Sequence, residues 1–108
     1  MARTREQILE DRRRLKNKYG QLFDLVSAIL FQADPIGIAF ENPNTDEYDP
    51  EAETILPRME RCANVEDTLR VVHEEFVRWF DADNAGPKES YRKVATDIWQ
   101  LWQQHNVG

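Results

Sequence analysis

The chain is poor in the residues that build reactive centres. It has one cysteine, Cys62, and two histidines, His73 and His105, among 108 residues. A lone thiol makes no internal disulfide, and with two imidazoles it falls short of a structural zinc site. Cys62 is expected as a free thiol in a reducing cytoplasm. No stretch approaches the ~18 uninterrupted apolar residues of a membrane span, and the charged N-terminus does not read as a secretory signal. A glycine-rich phosphate loop is missing, as is any nucleophile, base and orienter set. Positive charge is also missing where negative charge is densest. After Asp34, residues 35–53 carry Glu41, Asp46, Glu47, Asp49, Glu51 and Glu53 without one lysine or arginine.

What is present suffices for one packed domain. The 41% hydrophobic content and 11 aromatic residues can fill a single core. Charge divides the chain. Residues 1–18 hold seven basic groups (Arg3, Arg5, Arg12, Arg13, Arg14, Lys16, Lys18) against Glu6, Glu10 and Asp11, a net of +4, which leaves −10 for residues 19–108. A body this acidic repels phosphate backbones and attracts basic proteins. The basic first turns can contact RNA, pair with a second copy as a coiled coil, or simply be solvated. The expected organisation is a basic helical extension over 1–18 and a helical bundle over 19–108.

The apolar spacing predicts helices throughout. Leu15, Tyr19, Leu22, Val26, Ile29 and Ala33 recur at three- and four-residue steps, which predicts one long helix over 4–33 with a bend or boundary at Gly20. Before Leu15 the stripe is weak, so the first turns are expected to project. Asp34-Pro35-Ile36-Gly37 ends this helix, because proline disfavours a helical residue before it and glycine permits a turn. Ile36, Ile38 and Phe40 read as an ordered loop pinned to the core. Asp49-Pro50 predicts a second helix over 50–62, with Asp49 as its cap and Pro57 as a kink. Asn64 caps a third helix over 65–80, whose stripe is Val65, Leu69, Val72, Phe76 and Phe80. A polar turn follows, and Pro87 opens a fourth helix to about 104. The fold class is thus all-α: one antiparallel bundle of about four helices, with an ordered acidic loop between the first two.

Several candidate chemistries fail on spacing. Asp81, Asp83 and Gly86 match positions of a calcium loop, but Arg92 stands where a bidentate glutamate is needed and Ala85 where an oxygen ligand is needed. His73 has no second histidine four residues on. Glu74, Glu75, Glu89 and Asp97 do not form the paired carboxylates of a helical nucleotide pyrophosphatase. Trp79 and Trp99 lie off the main stripes and read either as half-buried packing or as an exposed binding patch.

The acidic connection remains. Asp46, Glu47 and Asp49 can bind a hard cation such as Mg²⁺. Alternatively, Glu41, Asp46 and Glu47 face a basic protein partner, with Tyr48 as an aromatic anchor. In the plainest reading they form a solvated loop with helix caps, and Tyr48 packs inward.

Asp34-Pro35-Ile36-Gly37 and Asp46-Glu47-Tyr48-Asp49, followed by Ile55-Leu56, resemble the motifs of a family of small all-helical bacterial proteins with no assigned activity. The resemblance covers about residues 20–102 and implies a compact helical fold in which Asp34, Pro35, Gly37, Asp49 and Pro50 are structural. By analogy it also suggests the small immunity proteins that neutralise toxins through an acidic surface. The function expected is a non-enzymatic, cytoplasmic interaction domain of immunity type, without metal or cofactor, whose partner is a basic protein; a homodimer through the first helix is a further option. The alternative is a carboxylate-based metal-binding protein or hydrolase using Asp34, Asp46, Glu47 and Asp49.

Overall fold

Thr4 opens the first helix by a reciprocal cap. Its hydroxyl accepts from the Gln7 backbone N–H at 3.1 Å, and the Gln7 side chain accepts from the Thr4 N–H at 3.1 Å. In this computed structural model, which describes residues 4–35 and 48–107, α1 runs Arg5–Tyr19 and α2 runs Gln21–Ala33. The single long helix predicted over 4–33 is therefore two. Gly20 separates them at φ 59°, ψ −132°, a backbone conformation that residues with a Cβ resist. Asp34 closes α2 in the left-handed region, φ 46°, ψ 58°, and its N–H reaches the Leu30 carbonyl at 2.8 Å.

Helix α3 spans Asp49–Met59 and keeps Pro57 in its last turn. Asn64 caps α4 (Val65–Phe80), accepting from the Asp67 N–H at 2.8 Å, while Asp67 accepts from the Ala63 N–H at 2.9 Å. The expected polar turn is itself a short helix, α5 (Ala82–Ala85), which Asp81 caps by accepting from Asn84 at 2.9 Å. A 3-10 turn over Lys88–Tyr91 then leads into α6 (Arg92–Val107). Among the described residues there are six α-helices rather than about four, because Gly20 divides the first and the polar turn adds one.

The core lies between α2, α3, α4 and α6. Phe23, Val26 and Leu30 meet Ile55, Leu56 and Met59, then Leu69, Val72 and Phe76, then Ala95, Ile98 and Trp102. Burying each large side chain contributes about 1.5–3 kcal/mol. Phe76 is the centre of an aromatic group, 6.0 Å from Tyr48, 5.1 Å from Tyr91 and 5.8 Å from Phe80 between ring centroids. Trp102 lies in the core 6.0 Å from Tyr19, Trp99 packs at its margin, and Trp79 is 42% exposed. The radius of gyration, 13.4 Å, matches the about 13 Å of one compact body of this length.

Helix α1 is held differently. Of its described side chains only Tyr19, at its end, is buried, with Leu15 packed at the margin. Among the described residues its side chains reach the acidic residues of α3 and its end through ion pairs, while Tyr19 and Leu15 anchor its end in the core.

Candidate functional site

The first turn of α3 carries two carboxylates, Asp49 and Glu51, where the positive end of the helix dipole favours them, and Glu53 follows at the start of the next turn. Glu51 and Glu53 are buried, and Asp49 is partly so. Arg12 of α1 reaches into this group. Its guanidinium lies 3.4 Å from Glu53 Oε2 and 4.0 Å from Asp49 Oδ2, with about a quarter of the side chain exposed. Its Nε is buried and finds no acceptor among the described residues. Further along, Lys18 Nζ lies 3.0 Å from Glu60 Oε1, and that carboxylate raises the ammonium above its ordinary value. Between these contacts α1 stands off, leaving an open groove of about 330 Å³ lined by Asp11, Arg14, Leu15, Glu53, Thr54 and Pro57. Basic residues of α1 thus lie along an acidic edge of α3.

Asp49 does not cap α3. The capping position falls to Tyr48, without a side-chain cap bond, and Asp49 is the first helical residue. Its Oδ1 accepts from the Ser27 hydroxyl of α2, and its Oδ2 faces Arg12. The carboxylate serves a tertiary contact across 22 residues of sequence instead of its own helix end. Pro50 shifts with it, to the second position of the helix.

Tyr48, read either as a partner's aromatic anchor or as packed inward, is fully buried, as the plainest reading has it. Its ring packs on Phe76 and its hydroxyl donates to Asp34 Oδ1 at 2.6 Å. The aromatic payload outweighs the acidic surroundings, and the one polar atom finds a charged acceptor. Tyr48 and Asp34 are brought together, as are Asp49, Ser27 and Arg12. Glu41, Asp46, Glu47 and Gly37, with the loop contacts expected of Ile36, Ile38 and Phe40, lie outside the described residues.

A second charged cluster joins α3 to α4. Arg58 pairs with buried Glu75 at 2.9 Å and with Glu74 at 2.6 Å, while Trp79 donates its indole N–H to Thr54 at 3.1 Å. These contacts account for Glu74, Glu75 and Trp79. Cys62 is half-buried beside Arg61 and Arg70, and burial pushes its thiol up, away from the reactive thiolate. A ring nitrogen of His73 meets the Gly86 carbonyl at 2.9 Å. Among the described residues no group of three or more His, Cys, Asp or Glu side chains could hold a metal, and no helix is long and apolar enough to cross a membrane.

Ser27 was not legible as a site residue, though it carries a signal. It lies on the buried face of α2 with Phe23, Val26 and Leu30, and a hydroxyl on such a face needs a partner. Arg12 had none, being one of three consecutive arginines. No family model, curated protein or solved structure matches the chain.

Proposed function

We propose that this chain is a non-enzymatic protein-interaction domain whose acidic edge receives a basic helical segment of a protein partner. The edge is Asp49 and Glu53 of α3 with Glu60 at the helix end, and Glu41, Asp46 and Glu47 precede it in the sequence. The observation that carries this reading is the seam itself: Arg12 on Asp49 and Glu53, and Lys18 on Glu60. The edge already holds one basic helix, from the same chain, through charge rather than through tight apolar packing. A basic partner helix would meet the same carboxylates, in the manner of an immunity protein facing a toxin. The bundle that carries the edge is antiparallel in this reading. Thr54 and Arg58 ascend α3 while their partners Trp79 and Glu75 descend α4.

The test is a titration in trans. A labelled peptide copying residues 4–19 is added to the chain carrying Arg12→Ser and Lys18→Ser, which removes the cations that α1 places on Asp49, Glu53 and Glu60. Anisotropy should report binding that weakens as salt rises, because partly exposed charges are screened over about 8–10 Å at physiological ionic strength. Adding Asp49→Asn and Glu53→Gln should abolish it. A freed edge that ignores the peptide at low salt would overturn the reading.

A further inference from the structure

We propose that the basic helix this edge receives includes α1 of a second copy of the chain, exchanged by straightening at Gly20. The inference rests on the binding role given to the α3 edge and names its occupant. Two independent features carry it.

The first is the hinge. The apolar steps Leu15, Tyr19, Leu22, Val26 continue across Gly20 without a change of phase, so the sequence encodes one helix where the fold has two. Only the backbone at Gly20, φ 59° and ψ −132°, breaks it. Lys16 and Asp24 meet across this break at 3.8 Å, eight residues apart, where a straight helix would set them roughly 12 Å apart along its axis. Straightened, α1 and α2 become a helix roughly 43 Å long that carries Arg12 away from its own α3. The hinge is a single residue, and short hinges invite exchange between copies.

The second is the seam. Arg12 and Lys18 hold α1 through ion pairs, with an open groove between the helices, and of its described side chains only Tyr19 is buried. Among the described residues, releasing α1 exposes Tyr19 and Leu15 and takes Arg12 from Asp49 and Glu53. A second copy supplies the same cation on the same helix. In the closed pair, each Arg12 sits on the Asp49 and Glu53 of the other copy, and both seams are restored.

Gly20→Ala tests the hinge. Beyond its chain neighbours no described atom lies within 4 Å of a Cβ at this position, so alanine is opposed by the backbone conformation and is relieved when the helix straightens. Light scattering across a concentration series should show Gly20→Ala moving from 12.7 kDa towards twice that mass. Its dimer should form at concentrations at least tenfold lower than in the parent chain. Adding Arg12→Ala should return it to the monomer. A folded Gly20→Ala chain that stays monomeric throughout overturns the exchange, as does a dimer indifferent to Arg12→Ala. Should Gly20→Ala not fold by circular dichroism, Arg12→Glu and Glu53→Arg chains with Gly20 intact decide the matter. A mixture that forms a heterodimer neither chain forms alone supports the exchange, and a mixture that does not overturns it. A monomeric outcome together with peptide binding in trans would remove the exchange and leave the role of the α3 edge standing.

Discussion

Tyr48 and Asp34 hold the end of α2 against the start of α3 through one hydrogen bond, 2.6 Å from the buried phenol to a carboxylate in a left-handed turn. Helix α2 ends at Ala33 and α3 begins at Asp49, and these two side chains join the residues that flank the intervening segment. Next to them, Ser27 and Arg12 both converge on Asp49. At the two ends of the acidic stretch, Asp34 and Asp49 are each satisfied by a tertiary contact.

Tyr48→Phe should cost about 1.5–3 kcal/mol, the range for a hydrogen bond to a charged group. Asp34→Asn should cost much less, because the amide oxygen still accepts and asparagine tolerates the left-handed region. Urea midpoints of the two variants check this. Equal midpoints for Tyr48→Phe and the parent would mean the bond is not made.

Asp49 and Ser27 should be coupled. If Asp49 merely capped α3, its removal would be indifferent to Ser27. With the contact described here, a double-mutant cycle of Asp49→Ala and Ser27→Ala should give an interaction energy of about 0.5–3 kcal/mol. Additive losses would return Asp49 to a local helix role.

Tyr91 gives a pH signature. Burial pushes its phenol up to about 12, and it donates to the Ala85 carbonyl at 2.5 Å. The folded state holds the neutral form more strongly than the unfolded state, whose phenol ionises near pH ~10. The resulting stability is fully present below pH ~10 and is lost as pH rises from there through about 12. Stability measured across that window should fall more steeply in the parent than in Tyr91→Phe. Parallel curves would contradict it.

Where local chemistry decided the outcome, the sequence was readable. Asn64 and the stripe Leu69, Val72, Phe76 define α4 because cap and periodicity agree. The break at Gly20 was half legible: the glycine marks a weak point, but the unbroken stripe argues for one helix. The choice between bend and break is made by α1 docking on α3, a contact 41 residues apart in the case of Arg12 and Glu53. The site was less legible still. Asp49-Pro50 has the local form of a cap, yet the carboxylate is drawn to Ser27, whose demand for a partner comes from its burial in a different helix. Tyr48 was ambiguous because acidic neighbours suggest the surface while its ring favours the core. Local sequence cannot weigh these until Phe76 stands opposite.

Hydrogen exchange of the α1 amides in the parent chain and in Glu53→Gln tests the central claim most directly, that α1 is held on an acidic edge of α3 by charge. The account predicts that protection across residues 9–19 falls in the variant, and falls in the parent as salt rises, while α4 and α6 keep theirs. Unchanged α1 protection in both experiments would contradict it.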